Sequence, residues 1–235
     1  MRSLATIFAL SFTVALAFTA PVLAEDKAKP FADAKEINLI NILPPPPAQD
    51  SARTKAELGE ILTIQVTRTP EMEARAIADA EEDVWRYSDV INNPKFTKEN
   101  LPKFAAFFDR IVETEGAVVD PAKDVWKRPR PHIFSDLVKP VVPLSKSGSY
   151  PSGHTTVGTL MGIVLSNMLP EKRAALMTRA WEYGHNRVVG GIHYPSDIEA
   201  GRIAGSVIAE TIMTHDDYKA EFEAAKTELR AQLGL

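Results

Sequence analysis

Apolar positions recur along this chain at three- and four-residue steps, a period that predicts one helix after another. The first runs from Thr54 to Thr67 on Leu58, Ile61, Leu62 and Val66. Pro70 opens the next at a first-turn position, and Met72, Ala76, Ala80 and Trp85 carry it to a break at Asn92-Asn93-Pro94. Thr97 to Glu115 sets Leu101, Phe104, Phe108 and Ile111 on one stripe, a core pattern rather than a ligand box. Helical pattern returns at 155–168, 171–187, 197–213 and 218–233. Val157 to Leu169 is the most apolar of these stretches, too short and too rich in Gly, Ser and Asn to cross a bilayer. No sustained strand period and no internal repeat appears, so the expectation is a single, compact all-α domain over residues 25–235.

Three stretches interrupt the pattern. Glu25 to Ala34 reads as short, charged and loose. Leu43 to Pro47 must be extended, because each proline fixes its own backbone and disfavours helix in the residue before it. Asp120 to Pro151 holds six of the 17 prolines and reads as one long loop, a feature that in a compact domain usually carries function.

The N-terminus is read as an address. Arg2 is its only charge, Leu4 to Val22 is almost unbroken apolar sequence, and Val22-Leu23-Ala24 offers a small-residue exit before Glu25-Asp26-Lys27. This layout predicts a signal peptide over residues 1–24, cleaved after Ala24, and a periplasmic mature protein without stable membrane insertion. Composition adds exclusions. There is no cysteine, hence no disulfide, thiolate metal site or cysteine nucleophile, and a net charge of −4 argues against nucleic acid as a partner.

Chemistry gathers at three places. Lys123 to Pro131 packs four cations and one acid into nine residues, with Pro129 and Pro131 stiffening the presentation of Arg130. A guanidinium fork so held suits a phosphate or carboxylate oxyanion. Gly148 to Thr156 stands immediately before an apolar helix, where Ser152 can cap it and Gly153 lets an anion approach the first backbone N–H groups. His154 beside that seat can give a proton to a departing oxygen. In Arg187 to Asp197 two glycines turn the chain, and Asp197 lies four residues after His193, within reach of its ring. That bond fixes one tautomer and leaves the other ring nitrogen a free lone pair. The neighbouring lysine and arginines would repel a cation, so the expectation is an anion site with no metal and no cofactor.

Taken in order, these segments resemble the type 2 phosphatidic acid phosphatase superfamily. Its signature, a lysine six residues before Arg-Pro, then Pro-Ser-Gly-His, then Ser-Arg, five residues, His, three residues, Asp, is matched by Lys123 to Arg130-Pro131, Pro151 to His154, and Asn186-Arg187 with His193 and Asp197. The proline run at 44–47 is also similar to the N-terminal part of secreted class A bacterial non-specific acid phosphatases. One position departs, Asn186 standing where the family usually has serine. The resemblance implies the family's helical fold and a broad-specificity, metal-independent phosphomonoesterase of the acid phosphatase type. In it His193 attacks phosphorus to form a phosphohistidine and Asp197 holds its ring. His154 protonates the leaving alcohol, then activates water. Lys123, Arg130, Ser152, Gly153 and Arg187 hold the phosphate oxygens. Some phosphotransfer to alcohols and a homo-oligomer are also implied.

Two other readings remain open at this level. Vanadium-dependent haloperoxidases share the motif set, although the short chain and the proline element argue against one. A non-catalytic periplasmic phosphate-binding module would use the cations without needing both histidines and Asp197. Of the other aromatic and histidine positions, His132, Tyr150 and Tyr194 are candidates to touch substrate. Trp126 is either a loop anchor or a pocket wall, and His185 is expected to pack.

Overall fold

The helix that begins at Gly153 is apolar almost all round its circumference, and such a helix must be surrounded. In the computed structural model, which describes residues 27–235, it is the central rod of the molecule. The helices are α1 (Leu39–Ile42), α2 (Ala52–Thr67), α3 (Pro70–Ala78), α4 (Ser88–Ile91), α5 (Pro102–Trp126), α6 (Pro131–Phe134), α7 (Gly153–Met168), α8 (Arg173–Val189), α9 (Pro195–Ile212) and α10 (Asp216–Leu233). No strand occurs among the described residues. The expected signal peptide lies outside them. Helices α8, α9 and α5 wrap α7, with α10 against α5 and α2 and α3 against α8, giving the single helical domain expected. No helix among the described residues is long and apolar enough to cross a membrane.

Small residues let the three central helices approach closely. A Cβ at Gly158 of α7 would stand 2.5 Å from the Tyr183 ring of α8, and one at Gly205 of α9 would stand 2.5 Å from the Thr156 carbonyl of α7. Tyr87 uses this closeness, donating its hydroxyl to the Gly158 carbonyl at 2.6 Å. The phenylalanine stripe of α5 is core as expected: Phe104, Phe107, Phe108 and Ile111 are all buried.

Three expectations need correction. Residues 120–126 are not loop, because α5 continues to Trp126 with Pro121 inside it. Buried Val118, Val119, Ala122 and Lys123 keep the helical period there, so packing outweighs the one backbone hydrogen bond proline cannot make. The segment after Lys127 is loop, interrupted only by α6. The helix opened by Pro70 does not reach Asn92 but stops at Ala78, and the chain resumes helical form only at 84–91. Finally, residues 27–34 are not loose: Phe31 is buried, its N–H donates to Thr114 Oγ1 at 2.9 Å, and Arg110 lies over its ring.

Candidate active site

Ser152 caps α7, its Oγ accepting the Thr155 N–H at 3.3 Å and the Thr155 hydroxyl at 2.9 Å. The first N–H groups of the helix, at Gly153 and His154, are left without helical partners, at the positive end of the helix dipole. Close by, Gly191 adopts a left-handed φ of 74° that sends the chain from α8 into His193, and Pro195 starts α9 two residues later. Lys123 reaches the same place from the last turn of α5. A Cβ at Gly153 would be 3.0 Å from Lys123 Nζ and 2.7 Å from Glu115 Oε1, so glycine there is a condition for their approach.

The result is a cavity of about 280 Å³ onto which Lys123, Arg130, Gly153, His154, Arg187 and His193 all face. Six of the eight expected site residues thus converge. Asp197 stands fully buried behind His193, and Ser152 lies beneath the cavity as the cap. His193 Nδ1 is 3.2 Å from Asp197 Oδ2, and its Nε2 is 3.0 Å from Arg130 Nη1. A guanidinium can only donate, so Nε2 is the acceptor, Nδ1 carries the proton, and the ring is neutral. Burial, with the charges of Arg130, Arg187, Lys123 and His154, presses the His193 pKa well below its ordinary value.

Lys123 pairs with Asp120 Oδ1 at 3.3 Å, whereas the two arginines are held by neutral groups. Arg130 donates to the carbonyls of Ser147 at 3.0 Å and Ile192 at 3.2 Å, and Arg187 to the Asp79 carbonyl at 3.5 Å, while its Nε is buried without a partner. Burial pushes both guanidinium pKa values down. A phosphate dianion among them would gain charge-assisted hydrogen bonds that the carbonyls do not match.

Sequence reasoning missed four contributors. Arg128, one of the four cations of its loop, turns away from the cavity and pairs with Asp197 Oδ1 at 2.6 Å and Glu57 Oε2 at 3.0 Å, stacked on Tyr194. Glu57 of α2 also accepts the Ser196 hydroxyl at 2.8 Å. Nothing in the period of α2 marks Glu57, since the link is made across the tertiary fold. Ser149 donates to Asp197 Oδ2. Glu82, in the unexpected gap after α3, lies 2.7 Å from His154 Nδ1, while the Ala80 carbonyl accepts from Nε2 at 2.9 Å. Only the Glu-Glu-Asp run in an otherwise helical pattern could have drawn attention to this stretch.

Other candidates take structural places. The Tyr150 hydroxyl donates to the Pro44 carbonyl at 2.7 Å, and its ring meets Trp126 edge to face, so Trp126 is an anchor. Tyr194 lies under Arg128, and neither tyrosine nor His132 lines the cavity. His185 does not pack; it is exposed. Asn186 is buried and donates to Asp79 Oδ2 at 2.7 Å, away from the cavity lining.

The chain is similar to known proteins over most of its length. Residues 111–220 match the model of the PAP2 superfamily. The chain is 28% identical over 211 residues to a non-specific acid phosphatase of Providencia stuartii, covering 83% of this chain and 82% of that protein. It is 29% identical to a non-specific acid phosphatase of Salmonella typhimurium, covering 89% and 88%. Among solved structures the fold is similar to Aquifex aeolicus LpxE, with a TM-score of 0.54 at 24% identity over 71% of this chain and 98% of that one. It is also similar to a bacterial vanadium-dependent iodoperoxidase, with a TM-score of 0.51 at 21% identity over 72% of this chain and 51% of that one.

Proposed function

This chain carries a PAP2 superfamily domain and has acid phosphatases as relatives over most of its length, and from that premise we propose that it is an exported, broad-specificity acid phosphatase working through a phosphohistidine. The observation that carries the reading is the placement of His193: proton on Nδ1 toward Asp197, lone pair on Nε2 inside a cavity walled by three cations and a second histidine.

A phosphate monoester enters with its oxygens toward Lys123, Arg130, Arg187 and the Gly153 N–H. Arg130, now donating to a phosphate oxygen, gives up Nε2 of His193. That lone pair attacks phosphorus in line as the ester P–O bond breaks, and the leaving oxygen takes a proton from His154. Asp197 stabilises the charge that develops on the His193 ring. In the second half His154 accepts a proton from water, the new P–O bond forms, the N–P bond breaks, and phosphate departs. The cations hold the equatorial oxygens where charge accumulates, and loss of one arginine there costs about 3–4 kcal/mol, roughly 10²–10³ in rate. An alcohol in place of water would yield phosphotransfer. A binding module would have no use for a buried His193–Asp197 pair with an acid histidine opposite. Export rests on residues 1–24.

The test is hydrolysis of p-nitrophenyl phosphate by residues 25–235 in the presence of chelator, from about pH 4 to 8 where histidine titrates. Activity that persists in chelator, peaks on the acid side and disappears in His193→Ala supports the reading. A trapped phosphoenzyme label stable to alkali and labile to acid would be the N–P bond. Halide oxidation with vanadate and peroxide, without ester hydrolysis, would overturn it.

A further inference from the structure

His154 meets an acceptor at each ring nitrogen: the Glu82 carboxylate in ion-pair contact 2.7 Å from Nδ1, and the Ala80 carbonyl hydrogen-bonded at 2.9 Å to Nε2. Two acceptors require two N–H groups, which only the imidazolium supplies. The surroundings work against that charge. Lys123 approaches from α5, Arg187 from α8, Arg130 from the loop before α6 and His193 from the turn before α9. Tyr183 of α8 stacks over the ring without charge. Glu115, also on α5, is buried, and its carboxyl is pushed up to about 8 by burial and by the charge of Glu82, so at acid pH it adds no negative charge. Glu81 and Asp83 flank Glu82 on its own segment, and neither makes a hydrogen bond to the ring. Glu82 is the carboxylate that touches it. Burial raises the Glu82 pKa, but His154, with Lys123 and Arg187, brings it below its ordinary value, so Glu82 is a carboxylate.

Resting on the phosphatase reading above, we propose that Glu82 is the positioning residue of the general acid, anchoring His154 at Nδ1 and keeping it protonated among the cations. The geometry also defines the proton's route. Ala80 and His154 line the same cavity, so a leaving oxygen arriving there replaces the Ala80 carbonyl as acceptor on Nε2. The Nε2–H bond breaks and the O–H bond of the departing alcohol forms, while Nδ1 stays on Glu82. His193 and His154 thus each own a carboxylate, with opposite effect. Asp197 fixes the tautomer of a neutral nucleophile, and Glu82 sustains a charged acid.

The test is Glu82→Gln, with Glu82→Asp as the conservative variant. Acid catalysis matters for a poor leaving group and little for a good one, so kcat/KM is compared for glycerol 2-phosphate and p-nitrophenyl phosphate. Glu82→Gln should lose about 10²-fold on the first and less than about tenfold on the second. Its alkaline limb should move to lower pH, because the opposite charge facing the imidazolium is gone. Glu82→Asp should restore much of both. Equal losses on the two substrates with an unmoved limb would overturn the proposal. The His154 ring is also titrated directly by NMR in wild type and Glu82→Gln, where an unchanged midpoint overturns it without reference to turnover. Wild type that hydrolyses neither ester would refute the phosphatase reading instead, and the titration would still decide the pair.

Discussion

Arg128 Nη1 lies 2.6 Å from Asp197 Oδ1, and through its other nitrogen the same guanidinium holds Glu57 at 3.0 Å. The carboxylate behind His193 is therefore one end of a buried Glu57–Arg128–Asp197 chain that ties α2, the basic loop and α9 together. Removing one member of such a chain costs about 3–5 kcal/mol because the others are left buried and unpaired. Arg128→Met should lower the melting temperature sharply and depress kcat through a misoriented His193. Glu57→Gln, which keeps Asp197 paired, should cost much less activity than stability. Thermal unfolding and steady-state kinetics on both variants check this, and equal activity losses would contradict it.

Asn186 donates to Asp79 Oδ2 at 2.7 Å, and Asp79 also receives Arg179 at 2.5 Å and Arg86 at 3.2 Å. These bonds end α3 at Ala78 and begin the segment that presents Ala80 and Glu82 to His154. Asn186→Ser shortens the side chain and gives up one of those bonds, at about 1–3 kcal/mol. The expected outcome is lower stability and a lower kcat, with inhibition by inorganic phosphate changed less than about threefold, since Asn186 does not line the cavity. A tenfold loss of phosphate affinity would show that position 186 reaches the anion after all.

The acid limb offers a third check. Burial and the neighbouring cations hold His193 neutral well below its ordinary range, so activity should persist as pH falls. Arg130→Met removes a charge 3.0 Å from Nε2 and thereby raises the His193 pKa. The ring then protonates at higher pH, and the acid limb of kcat/KM should move upward. A limb that stays in place would mean that His193 does not set it.

The helices and the site were legible in the sequence to different depths. The stripe of α5 marked its buried face, the helical pattern located α7, α8 and α9, and the motifs named Lys123, Arg130, Gly153, His154, Arg187 and His193, which face one cavity. The break after Ala78 was not legible, because Asp79 ends the helix through partners at 86, 179 and 186, a tertiary effect with no local mark. Arg128 and Arg130 are two residues apart in one basic loop. Their opposite fates depend on Glu57, more than 70 positions away in the chain. Pro121 misled in the other direction, since packing on both sides of it kept the helix whole.

Glu115 yields the last prediction. Its carboxyl is buried, with Oε1 unpartnered, and is pushed up to about 8 by burial and by the charge of Glu82, which Lys123 only partly offsets. A carboxyl raised in the folded state keeps its proton there while the unfolded chain releases it near the ordinary carboxylate value. The folded state then binds more protons than the unfolded one, so stability falls as pH rises through that window, with the full loss reached near pH 8. Glu115→Gln removes the titration. Its melting temperature should match wild type near pH 4 and exceed it increasingly toward pH 8, where wild type must either ionise a buried group or hold its proton against solvent. Thermal unfolding of both proteins across that range is the measurement. Parallel curves would show that Glu115 titrates normally in the fold and contributes nothing to the neutrality of the wall beside Lys123.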